Sequence, residues 1–304
     1  MSMYEQLSRE DSVPSNEGIT DERIAHAKTL LLNLEQYQNH PFTHAKNPEQ
    51  FYMFQVESGA KRISYFGTSH TNDPSDPQFV ALEDSFYQEK PDIVLVEGLV
   101  GINEQKENVR EILRTTSREE LIKTYGEAGE ALQLAEKAGC EFESPEPLYA
   151  NEIVHLAELG YSRKDIFRFY LHRQIYQYQR EHEQRSLDEL TQYLQSSFEE
   201  FVDSSGYDRY EIEDYRGELL SDVHLDSDEY DRETDPKISN EERTVINEIS
   251  FASSQFRDAY IVERIGQNLK QHDKIFVVYG FGHAITQERA LQFLVDPTAP
   301  SLQS

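Results

Sequence analysis

Along the chain, apolar residues fall into two rhythms. Up to about residue 149, short continuous apolar runs alternate with stretches of helical period; from there to about residue 269 helical period prevails, before a last apolar run and a last helix. Thr20 is placed to cap a first helix whose apolar face carries Ile24, Leu30, Leu31 and Leu34. "FYMFQVESGAKRISYFG" is two apolar runs joined by Ser-Gly-Ala-Lys, which predicts a hairpin whose second strand ends at Gly67. Phe79, Leu82 and Phe86 then recur at helical spacing, and "DIVLVEGL" is a short apolar run of the kind buried on both faces. Strand, helix, strand is a βαβ unit, and its crossover makes the two strands parallel. Ser117 and Glu120 form a capping box that opens helices running to Gly139. "CEFESPEP" predicts a third short strand, halted by Pro145 and Pro147, and "KIFVVYG" a final one followed by the helix "TQERALQFL".

The predicted fold class is α/β: a β-hairpin and parallel-strand sheet core with flanking helices, interrupted by a large helical insertion. Residues 1–49 form an N-terminal tail and helix, and 50–149 the first part of the α/β core. Residues 150–269 form the helical insertion, and 270–304 the last strand and helix of the core plus a polar tail. Within the insertion, Ser162, Ser186 and Ser239 are N-cap signals, and the aromatic stripe of "RKDIFRFYLHRQIYQYQREHEQ" reads as a packing face. "DVHLDSDEYDRETDP" has the acidic content of a calcium loop but lacks its central glycine and closing glutamate, so it reads as a solvated loop.

Composition narrows the function. A formal charge of −28 over 304 residues excludes a nucleic-acid binder, because phosphate affinity needs Lys and Arg to displace counterions. One cysteine, Cys140, excludes a disulfide framework and any multi-cysteine metal site, and fits a reducing compartment. The first residues have neither a basic nor an apolar leader region, and no window reaches the ~18–20 consecutive apolar residues of a membrane span. A cytoplasmic protein with no membrane span is expected, its oligomeric state left open.

In open α/β sheets ligands bind beyond the carboxyl ends of the strands. The residues at and just after each predicted strand end are therefore the candidates: His70 after the first, Glu97 at the end of the second, Glu143 and Glu146 around the third, His283 after the last. Glu97 interrupts a run that should be buried, at a cost on the order of several kcal/mol unless a metal, an arginine or hydrogen-bond donors compensate it. His70 and His283 share an aromatic-Gly-x-x-His context, and two histidines with a carboxylate match the hydrolytic zinc set and the facial triad. A structural salt bridge at Glu97 and plain turn chemistry at the histidines are the bland alternatives. Ser69 is not in a G-x-S-x-G elbow, and neither a dinucleotide fingerprint, a G-x-x-x-x-G-K-[ST] loop nor an H-E-x-x-H helix occurs.

The hairpin leading into "YFGTSH", the "VLVEG" strand and the terminal "VVYGFGH" resemble the TraB/Tiki family, within the wider group that includes erythromycin-esterase-like and haem-binding ChaN-like proteins. The resemblance covers about half the chain. It implies a divalent-metal hydrolase, since Tiki members are described as proteases favouring manganese or cobalt and the esterase relatives open a lactone with a histidine as general base. It also implies a role for Arg257, which matches an arginine in the helix before the last strand, as an anion or transition-state stabiliser. The membrane anchor and spans of some of those relatives are not expected in this protein.

The expectation is thus a metal-dependent hydrolase of amide or peptide bonds, or of esters, acting on a peptide or small molecule. His70, Glu97 and His283 would bind manganese, cobalt or zinc, and Glu143 or Glu146 would move protons. The alternative is a non-catalytic member that holds a small ligand or haem in the same pocket.

Overall fold

Two apolar runs and a two-residue turn at Gly59 and Ala60 make the first element pair: β1 (Tyr52–Ser58) lies antiparallel to β2 (Lys61–Thr68), with Ser58 opposite Lys61. The structure, a computed structural model, describes residues 18–42, 51–181 and 243–298, together with 186, 188–196, 232, 234–236 and 238. Of the charged stretch 222–236, residues 222–231 and 233 lie outside them, as does the capping signal at Ser239. The chain divides into two units, Met1–Pro145 with Ile261–Ser304, and Glu146–Tyr260.

The first unit is built on a five-stranded sheet. β3 (Ile93–Val96), β4 (Glu141–Glu143) and β5 (Lys274–Gly280) join the hairpin in the order β1-β2-β5-β3-β4, and every pair except β1 with β2 is parallel. The last strand in sequence is therefore the middle strand in space, with Ile275 opposite both Ile63 and Ile93.

Side-chain alternation along the strands fills two cores. Ile63, Tyr65, Ile93, Leu95, Ile275 and Val277 face one way and pack with Ile24 of α1 (Asp21–Lys28). On the other face, Phe66, Val94, Phe142 and Phe276 pack with Leu82 and Phe86 of α3 (Pro77–Glu89), which follows the short α2 (Leu34–Asn39). Leu113 of α4 (Lys106–Thr115) and Leu132 of α5 (Arg118–Ala138) complete that face. Each such side chain, fully buried, contributes roughly 1.5–3 kcal/mol of transfer free energy. Helix starts follow the caps in the sequence: Thr20 accepts from Arg23 N–H, Asp76 from Gln78 N–H and Ser117 from Glu120 N–H, at 3.1, 2.8 and 3.3 Å.

The second unit contains α6 (Tyr149–Glu158), α7 (Arg163–Glu181) and most of α8 (Val245–Leu269). The aromatic stripe of α7 packs, with Phe169 and Tyr170 against Ile153, Leu156 and Ile249. Expectation placed the return to the core at residue 270, whereas the unit boundary falls after Tyr260. The reason is apolar burial: Ile261, Val262, Ile265 and Leu269, the last turns of α8, belong to the sheet core. A final helix, α9 (Phe281–Val295), starts directly from β5. Among the described residues no helix is long and apolar enough to cross a membrane.

Candidate functional site

Strand register brings three predicted residues to one edge. Thr68 is opposite Gly280 and Val96 opposite Val278, so the ends of β2, β5 and β3 lie side by side. His70 comes two residues after β2, Glu97 directly after β3, and His283 in the first turn of α9. Glu97 stands between the two histidines. Its Oε2 is 3.6 Å from Nε2 of His70, and its Oε1 is 3.6 Å from Nε2 of His283.

The partly buried carboxylate of Glu97 is met by backbone as well as flanked by the two imidazoles. The N–H of Gly280 donates to Oε2 at 2.6 Å, and the carboxylate sits at the positive N-terminal end of α9. His283 is held edge-on to Tyr279, with ring centroids 5.8 Å apart, and is largely covered. His70 is the accessible member, with 43% of its side chain exposed.

The two glycines of the repeated Gly-x-x-His pattern have different work. A Cβ on Gly67 would lie 2.7 Å from the Tyr52 carbonyl oxygen and 2.8 Å from the Phe281 Cα, so this glycine lets β2 lie tight against β1 and the start of α9. A Cβ on Gly280 would lie 2.5 Å from Nε2 of His70 and 3.2 Å from Oε2 of Glu97. That glycine makes room for the cluster itself.

Sequence reasoning missed Glu127. Its carboxylate is buried on α5, accepts from the Thr71 N–H at 2.7 Å and from the Gln78 amide at 3.4 Å, and faces Nδ1 of His70 at 3.6 Å. It reaches that position because α5 breaks at Gly126, whose φ of 55° and ψ of −136° suit only glycine. A Cβ there would also press on Asn72 Oδ1 and the Thr71 carbonyl, at 3.1 and 3.2 Å. The signal was present as a glycine inside a helical pattern, next to a carboxylate on its apolar side. His70 itself has a φ of 24°, a conformation that the Thr71 to Glu127 hydrogen bond holds in place.

The other predicted residues are engaged by arginines. Glu143, beside Leu95 in the sheet, accepts from Arg264 Nε and Nη2 at 2.9 and 2.6 Å. In the second unit Arg257 donates from Nε and Nη2 to both oxygens of Glu146, at 3.0 and 2.7 Å, with both side chains almost wholly buried. A guanidinium bound in this two-point manner is occupied with its carboxylate, and the pair has the form of a structural link. Cys140 is half-buried, and desolvation pushes its thiol up to about 11, which makes it a poor nucleophile.

Among the described residues no three His, Cys, Asp or Glu side chains are gathered about one point as they are around a bound ion, since Glu97 turns a different oxygen to each histidine. By residue type alone, two imidazoles and a carboxylate correspond to the His₂Glu donor set.

Comparison with known proteins finds no matching family model, no matching curated protein and no matching solved structure, so the site rests on its own geometry.

Proposed function

We propose that the protein is a metal-dependent hydrolase of the TraB/Tiki type, cleaving amide or peptide bonds, or esters, at the cluster of His70, Glu97 and His283. The observation that carries this reading is the position of Glu97, 3.6 Å from an imidazole nitrogen on each side, beyond the carboxyl ends of three adjacent parallel strands. His70 Nε2, His283 Nε2 and a Glu97 oxygen are the donors for manganese, cobalt or zinc. Such an ion, when bound, polarises a carbonyl and acidifies water.

The chain's own groups prepare that site. Glu127, facing Nδ1, favours the tautomer of His70 that carries its proton there and leaves the Nε2 lone pair toward Glu97. The Gly280 N–H fixes the Glu97 carboxylate, and Tyr279 covers one side of His283. His70, the exposed member, forms the side from which a substrate arrives. A cytoplasmic location belongs to the same proposal.

The test is metal binding followed by turnover. Calorimetric titration of chelator-treated protein with Mn²⁺, Co²⁺ and Zn²⁺ should give saturable binding that is lost in His70→Ala and His283→Ala. No binding, or binding unchanged in both variants, overturns the metal reading. Binding without hydrolysis across amide and ester libraries overturns the hydrolase reading and favours a ligand-binding member.

A further inference from the structure

The loop after Glu97 leads directly into an apolar cavity. It runs Gly98, Leu99, Val100, Gly101, with Leu99 held at a φ of 54°, an unusual conformation for a branched residue. Ser144 pins it, because its hydroxyl donates to the Gly98 carbonyl while Asn103 and Ser144 exchange hydrogen bonds at 2.9 and 3.1 Å. Beyond this strap lies a cavity of about 190 Å³, with Leu99, Val109, Leu113, Leu121 and Leu132 in its wall.

Three features suit this cavity to a ligand. Among the described residues no charged side chain lines it, and Gln105 and Tyr125 are the ones that bring polar side-chain groups to its wall. Its rim carries Val100, Ile112 and Tyr125, which are 40, 44 and 43% exposed, large apolar groups left in contact with water. Its volume exceeds the roughly 150 Å³ that is enough to take up benzene.

Two chain links tie the cavity to the histidine cluster. Leu99 in the wall is two residues from Glu97, and Tyr125 at the rim is two residues from Glu127, the partner of His70. Two residues of chain span at most about 7 Å. The cavity wall thus comes, at both points, within two residues of chain of a group in the cluster.

We infer that this cavity is the specificity pocket of the site, seating an uncharged apolar group of about six carbons, aliphatic or aromatic, on the acyl side of the bond that lies at His70, Glu97 and His283. This deepens the hydrolase reading and rests on it. The favoured substrates are medium-chain acyl esters and amides, or peptides with a large apolar residue beside the scissile bond, and small acetyl compounds are poor ones.

The experiment separates pocket from chemistry. Binding of acetamide, butanamide and hexanamide to the full chain is followed by ligand-detected NMR, and hydrolysis by the matching p-nitrophenyl esters. Affinity should rise by roughly fourfold per methylene between butanamide and hexanamide. That gain should vanish in Val109→Trp, which fills the cavity, and in Val100→Asp, which charges its exposed rim and keeps the test alive if the tryptophan variant does not fold. Equal affinity along the series, or a wild-type gain in correctly folded Val100→Asp, overturns the pocket even where esters are hydrolysed. A chain-length gain without hydrolysis of any ester or amide leaves the pocket standing as a ligand subsite and overturns the hydrolase reading.

Discussion

The backbone N–H of Gly280 donates to Oε2 of Glu97 across 2.6 Å, so the end of the central strand fixes the carboxylate at the end of its neighbour. This bond separates two effects of substitution. Glu97→Gln keeps an acceptor for the N–H and should melt close to wild type, with metal binding and hydrolysis lost. Glu97→Ala leaves the donor without that acceptor and should cost about 1–3 kcal/mol in addition. Thermal melts of both variants beside metal titrations check the pair.

The two glycines of the repeated motif should respond oppositely to alanine. Gly280→Ala pushes on the His70 ring, the movable end of a side chain, and should fold while losing activity on the order of 10²-fold, as a misplacement near 1 Å does. Gly67→Ala meets backbone atoms of Tyr52 and Phe281 and should destabilise by about 1–3 kcal/mol. Denaturant midpoints and rate measurements on the two proteins distinguish these outcomes.

Arg257 should prove a stability residue of the second unit. Arg257→Ala takes the guanidinium away from a buried Glu146 carboxylate, a change worth about 3–5 kcal/mol, whereas Arg257→Met with Glu146→Met should recover most of that loss. Chemical unfolding of the single and double variants decides it. Recovery of stability in the double variant accompanied by complete loss of hydrolysis would return Arg257 to the chemistry.

Glu130 gives a pH-dependent prediction. Burial raises its carboxyl above the ordinary value of 4.5, against the lowering effect of Arg118, whose Nε donates to it at 2.8 Å. The fold thus prefers the protonated form, and the contribution present below 4.5 is lost as pH rises through the folded value. Glu130→Gln removes this titration. Its melting temperature relative to wild type should become more favourable from pH 4 to pH 7, and a difference that is flat or falls over that range contradicts the assignment.

Much of the sheet edge was legible in the sequence because strand ends are written locally. A continuous apolar run that stops at Gly67, Val96 or Gly280 announces both the strand and the position of the next few residues at the sheet edge. Glu127 was not legible in the same way. Its approach to His70 depends on the break at Gly126 and on how α5 packs, and neither is carried by the residues near His70. The arginine partners of Glu143 and Glu146 lie 121 and 111 positions away along the chain, so their ion pairs are properties of the fold. The cavity behind Leu99 is likewise assembled from α4, α5 and a loop whose hydrophobic residues each read as ordinary core.

The break in α5 joins what the sequence kept apart. Tyr125 and Glu127 flank one glycine, the first at the cavity rim and the second against His70. One backbone break therefore sets two placements at once, and a side chain at position 126, whose φ of 55° suits only glycine, would disturb both the cavity rim and the carboxylate that faces the histidine.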